Sequence, residues 1–179
     1  DNTTGDFNIG IGRNALANQT TANHNTGIGY KAGEDITTGQ QNTAVGSQSL
    51  MNGTTAAQNV AIGAFTLETL TTGAYNVAIG NQALEEATSS SYNVAVGYQA
   101  LHLNTTGTEN TAVGSYALEN NTTADHNTAV GRYALKANTT GYDNSALGEQ
   151  SLAVNTTGIK NTAIGRAALG ANTTADNNT

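Results

Sequence analysis

The chain has 179 residues, 21 of them Gly, with no Pro, Cys or Trp and a formal net charge of −7. The absence of cysteine excludes disulfides and thiolate metal centres. An acidic balance with few charges of either sign argues against nucleic acid as a partner, and no apolar run nears the ~20 residues that a membrane-spanning helix needs.

The first element is Asn8-Ile-Gly-Ile-Gly12. The same pentapeptide, Asn-x-(Ala/Gly)-(Ile/Val/Leu)-Gly, returns every 17 residues, with its last glycine at Gly12, Gly29, Gly46, Gly63, Gly80, Gly97, Gly114, Gly131, Gly148 and Gly165. Ten copies in strict register mark one repeated supersecondary unit. Counting places from the Asn, place 1 is always Asn, place 4 Val, Ile or Leu, place 5 Gly and place 13 Thr. Place 8 is small, place 9 is Leu except at Gly33, and place 14 is Thr except at Ser89. Places 6, 7, 10, 16 and 17 vary freely. Large apolar residues are too few for a compact core of this length, yet their fixed spacing is more than a disordered chain requires.

Helical repeats are excluded: 17 is not a whole number of 3.6-residue turns, and a Gly and a Thr-Thr pair per unit are poor helix formers. The pattern predicts an all-β fold, a parallel β-solenoid (β-roll) of about 17 residues per coil and ten coils, with residues 1–179 as a single repeat domain. A first strand is predicted over places 2 to 5, as in Thr111-Ala-Val-Gly114, and a second around places 6 to 9. Alternation then sends Val113 toward Leu118 across a narrow core and leaves Ala112 and Gly114 on the outer face, where a neighbouring chain packs closely. The place-1 Asn suits a tight turn in which its amide bonds the same Asn one coil away, and the Thr pair forms the second turn. Coils stacked at about 4.8 Å give a rod of roughly 48 Å. The chain opens mid-unit at Asn2-Thr-Thr-Gly and shows no capping unit, so it reads as a segment of a longer fibre.

Asn-Thr-Ala-Val-Gly-x-x-Ala-Leu, as at Asn110 to Leu118, with Asn-Thr-Thr-Gly between copies, resembles repeats of phage-type tail fibres and bacterial surface fibres, in which an intramolecular-chaperone domain often follows. The pentapeptide also resembles the repeat of YadA-type trimeric autotransporter heads, most closely at Asn59-Val-Ala-Ile-Gly63 and Asn76-Val-Ala-Ile-Gly80. The likeness runs through the whole chain, although the 17-residue period is longer than that of YadA-type heads. It implies a left-handed, trimeric roll and an extracellular fibre on a cell or virion surface.

Two stretches, Gly10-Ile-Gly-Arg-Asn-Ala15 and Gly27-Ile-Gly-Tyr-Lys-Ala32, fit a dinucleotide fingerprint in letters only, because the strand feeding a long helix is missing. No catalytic set, cofactor site or calcium-roll pattern occurs, and His24 and His126 share place 17 six coils apart, roughly 29 Å by the coil spacing. No metal site within one chain is therefore expected from them. Ten Asn-x-Thr tripeptides start at Asn2, Asn18, Asn52, Asn104, Asn120, Asn121, Asn138, Asn155, Asn172 and Asn177. Of these, Asn104, Asn138, Asn155 and Asn172, which precede the Thr pair, are candidate glycosylation sites. Tyr116 and Tyr133 at place 7 should stack one coil apart and are candidate contacts for sugar rings, with cross-coil packing as the plainer use.

The first expectation is a structural, non-enzymatic extracellular shaft whose partners are identical chains in a trimer or filament. The alternative is an adhesin that recognises surface glycans, and the third is an ice-binding or heavily glycosylated fibre.

Overall fold

A computed structural model describes residues 3–179 and gives an all-β solenoid. Ten three-residue strands run from β1 (Ile9–Ile11) and β2 (Thr26–Ile28) through β5 (Val77–Ile79), β6 (Val94–Val96) and β7 (Thr111–Val113) to β9 (Ser145–Leu147) and β10 (Thr162–Ile164). They form one parallel sheet in sequence order, each residue paired with the residue 17 positions on, as Ala112 with Ala129. The described residues include no helix, and so none long and apolar enough to cross a membrane.

The predicted second strand over places 6 to 9 is not formed; that stretch is a continuous series of turns. The cause lies in the backbone. Gly at place 5 takes φ between 121° and 138°, and places 7 and 9 are left-handed in every coil, as at Tyr116 (φ 61°) and Leu118 (φ 51°). Alternating left-handed residues curl the chain and turn successive amides to opposite sides. Tyr116 N–H donates back to the Tyr98 carbonyl at 2.9 Å, while Leu118 N–H donates forward to the Ala134 carbonyl at 3.0 Å. Each left-handed non-glycine costs about 1–2 kcal/mol locally, and bonds of this kind on both sides hold it in place.

The alternation of the first strand is real, but its direction is the reverse of the sequence expectation. Place 3 points inward: Ala44, Ala61, Ala78, Ala95, Ala112, Ala129 and Ala146 are 0% exposed. Place 4 points out, with Ile79 at 37% and Leu147 at 41% exposure. The coil is too thin to hold two large side chains face to face. A Cβ on Gly27, at place 3, would lie 2.8 Å from the Ala32 carbonyl oxygen and 2.8 Å from Leu16 Cγ. Place 3 is Ala or Gly in every coil, and the core is Leu at place 9 with Ala at place 3 and mostly Ala at place 8, joined by Ile36 and Leu70 at place 12. At the one coil whose place 9 is Gly33, the buried Ile36 fills the vacated volume; a Cβ on Gly33 would lie 2.8 Å from Ile36 Cδ1.

This reversal has a direct test. Leu118→Ala should cost about 3 kcal/mol of stability, as buried Leu truncations do. Val113→Ala, on the outer face, should cost under about 1 kcal/mol in an isolated chain. Urea unfolding of the two variants side by side checks the order.

Three side-chain ladders tie the coils together. Along place 1, each Asn accepts the next Asn's backbone N–H through Oδ1, as Asn110 N to Asn93 Oδ1 at 2.9 Å. Its Nδ2 donates to a place-15 carbonyl, as Asn110 to the Ala124 carbonyl at 2.8 Å. Along place 13, each Thr hydroxyl donates to the next Thr carbonyl, as Thr105 to Thr122 at 3.0 Å. A second Asn ladder occupies place 12 from Asn104 to Asn172.

Candidate functional site

The outward places 2 and 4 of the ten strands form one face, made only of Ile, Val, Leu, Thr and Ser, with no charge on any rung. Ile28, Ile62, Ile79, Val113, Val130 and Leu147 are all exposed along it. The polar ladders at places 1 and 13 lie outside these two columns. The apolar part of the face is the continuous place-4 column, beside a place-2 column of Thr, Val, Ser and Ile.

Tyr116 and Tyr133 do stack one coil apart, with ring centroids 5.1 Å apart and planes inclined by 25°. Tyr98 meets Tyr116 edge-on at 5.2 Å. Lys136 Nζ lies 5.3 Å from the Tyr116 centroid and 5.1 Å from that of Tyr133, and the Arg132 guanidinium lies 4.3 Å from the Tyr133 centroid. Desolvation in this group pushes the Tyr116 phenol above its ordinary pKa, with the Tyr98 and Tyr133 hydroxyls adding to the effect. Tyr75 and Tyr92 repeat the stacked geometry at 4.9 Å. Stacking along the solenoid axis engages the ring faces of Tyr116 and Tyr133 with each other and with Lys136 and Arg132.

The candidate glycosylation residues are placed where their amides are already engaged. Asn104, Asn138 and Asn155 are 0% exposed. The Nδ2 of Asn138 donates to Asn121 Oδ1 at 3.0 Å and to the Gly141 carbonyl at 2.8 Å. A sugar on that nitrogen would have to break the buried ladder, so these three do not present an acceptor in the folded coil. Asn172 makes the same bonds at the end of the ladder, where it is only partly buried. Asn18, Asn52 and Asn120, at place 11, keep their side chains nearer the surface. Asn2 lies outside the described residues.

The Thr pair divides its work: place 13 is bonded into the ladder, and place 14 is exposed in a single column, as at Thr106, Thr123 and Thr140. His24 stacks on Phe7 at 5.1 Å. His126 lies between Glu109 (Nε2 to Oε2, 3.4 Å) and Asp143 (Nδ1 to Oδ1, 3.6 Å), and with Asp125, Tyr142 and Asp143 it lines a shallow open groove.

The sequence reading passed over a different column. Place 10 carries Glu68, Glu85, His102, Glu119 and Lys136 on successive coils, with Glu86 beside Glu85 at place 11. His102 Nε2 is 3.0 Å from Glu85 Oε2, and Lys136 Nζ is 3.2 Å from Glu119 Oε2. Burial raises the Glu68 carboxyl pKa, and the charges of Glu85 and Glu86 raise it further against a hydrogen bond from Gln48. The signal that would have found this group is the period itself, since Glu85 and His102 are 17 residues apart and must be neighbours.

Comparisons of the chain with family models, curated proteins and solved structures returned no match.

Proposed function

We propose that this chain is a segment of a structural extracellular fibre, without catalytic activity, whose partners are further copies of itself. The observation that carries this reading is the uncharged Ile/Val/Thr face of the ten-stranded sheet. With nine steps of about 4.8 Å and strands three residues wide, the face covers roughly 43 by 10 Å, or about 430 Å2. That is about half of the roughly 800 Å2 each partner contributes to a standard interface, and the area grows with every coil added. A second copy has the identical rung spacing, so its side chains can mesh with this face at every coil rather than at one point. The resemblance to YadA-type trimeric heads makes three the expected number of chains. The sequence expectation put the neighbour against the Ala/Gly face; that face is interior, and the contact surface moves to places 2 and 4.

The alternative of a glycan-binding adhesin draws on Tyr116 and Tyr133 and is served less well, because their faces are engaged with each other, Lys136 and Arg132. An ice-binding role would want two level columns of free hydroxyls, and the place-13 hydroxyls are bonded into the ladder.

Sedimentation of the chain at micromolar concentration tests the proposal. The wild type should run as an oligomer. Ile79→Lys with Val113→Lys, two charges on the outer face of β5 and β7, should weaken association by about 100-fold, corresponding to two apolar side chains at about 1.5 kcal/mol each. The variant's circular dichroism should be unchanged. A wild type that sediments as a monomer would sink the reading.

A further inference from the structure

We propose that Glu85, Glu86 and His102 form a binding site for one divalent transition-metal ion of the class that accepts mixed imidazole and carboxylate ligands, with Zn2+ as the type. The ligand atoms of the three side chains all lie within 4.8 Å of one another. In a tetrahedral shell with bonds of about 2.0–2.1 Å the ligand atoms stand about 3.4 Å apart. The 3.0 Å between His102 Nε2 and Glu85 Oε2 is therefore already close to a coordination edge, and small side-chain rotations suffice to close the shell.

The scaffold supports the assignment. Glu85 and Glu86 are consecutive in one coil and His102 belongs to the next. The backbone bond from Glu86 N–H to the His102 carbonyl, 3.1 Å, fixes the rung between them. Three donors on a rigid rung lose little freedom when a metal gathers them. The side chains of His102 and Glu85 are only 18% and 16% exposed, whereas Glu86 is exposed, which leaves an open approach for the ion and for a water in the fourth position. Among the described residues, no lysine or arginine is paired with Glu85 or Glu86. The one lysine of the place-10 column, Lys136, is two coils beyond His102 and is paired with Glu119. Glu68 stands one coil before Glu85 in the same column.

The other histidine with acidic neighbours shows what the arrangement requires. Glu109 and Asp143 approach His126 at opposite ring nitrogens, Nε2 and Nδ1, from coils on either side, so their oxygens do not converge on one point. At His102 both carboxylates belong to the same neighbouring coil. An imidazole donor selects Zn2+, Co2+ or Ni2+ over the oxygen-seeking Mg2+ and Ca2+. A bound ion would join two coils in the middle of the stack and stabilise the fibre locally.

Isothermal titration calorimetry of the intact chain with ZnCl2, and separately with MgCl2, tests the site. One saturable Zn2+ per chain is expected, with a thermal unfolding midpoint that rises with Zn2+ and returns on adding EDTA. His102→Ala and Glu85→Gln should each weaken binding tenfold or more. Alanine already occupies place 10 at Ala17 and Ala153, so His102→Ala uses a residue that the coil accepts. No saturable Zn2+ binding, a loss of less than tenfold in His102→Ala, or Mg2+ binding as tight as Zn2+ would each overturn the assignment.

Discussion

Gly97→Ala is expected to break the stack at its middle. Gly97 has φ of 138°, a region that L side chains rarely adopt, and a Cβ there would lie 2.6 Å from the Gly114 carbonyl carbon and 2.7 Å from its oxygen. Backbone strain and a contact with immovable main chain act together, and the expected loss is at least about 4 kcal/mol. Because a solenoid is a nearly one-dimensional array, the defect should separate the coils before it from those after it rather than weaken all of them evenly. Thermal unfolding should become biphasic or shift down, and limited proteolysis should cut near Gly97. Gly165→Ala separates the two causes: its φ is 121°, but nothing lies within 4 Å of a Cβ there. It should retain only the conformational cost and lose clearly less. Equal losses at the two sites would show that the close approach of successive glycines contributes nothing.

The glycine column also shows which parts of the fold a sequence can disclose. The 17-residue register, the stacking of parallel strands, the Asn-to-Asn ladder and the Tyr116–Tyr133 stack all follow from identity at fixed spacing, and each is present. The inward or outward sense of the strand was not legible. Alternation determines that Ala112 and Val113 face opposite ways, but the choice depends on the width of the coil, set by turns at places 6 to 9. Those turns rest on left-handed backbone at Gln99, Leu101, Tyr116 and Leu118, residue types that carry no signal for it. The one exception, Gly33, occupies such a place with φ of 61°, and it looked like a lapse in the Leu column. The candidate metal ligands were legible in principle, because Glu85 and His102 are one period apart. They were missed because histidines were compared only with one another. The Asn-x-Thr tripeptides carry no sign in their letters that the amides of Asn104, Asn138 and Asn155 are bonded within the coil.

The second large effect is expected from the place-1 ladder, where one amide serves two coils. Asn93 is 0% exposed, and its Oδ1 accepts the Asn110 backbone N–H at 2.9 Å. Its Nδ2 donates to the Gly107 carbonyl at 2.9 Å and to the Ser91 carbonyl at 3.1 Å. In Asn93→Ala the Asn110 N–H is left buried without its acceptor, while the Gly107 carbonyl keeps a second donor in Asn104 at 2.9 Å. One orphaned buried amide and the lost ladder bonds should cost about 3 kcal/mol. Asn93→Asp distinguishes the two halves of the amide. Its carboxylate can still accept from Asn110 N–H, but it meets the Gly107 carbonyl and Asn76 Oδ1, both acceptors, with a buried negative charge. That environment raises the new carboxyl's folded-state pKa above its unfolded value, so the penalty is largest at neutral pH and falls as the pH drops and the group protonates. Urea unfolding of Asn93→Asp, compared with wild type at the same pH, should therefore show a smaller deficit in mild acid than at neutrality. A deficit that does not change with pH would mean that the ladder tolerates the charge, and that Nδ2 matters less than Oδ1 in joining the coils.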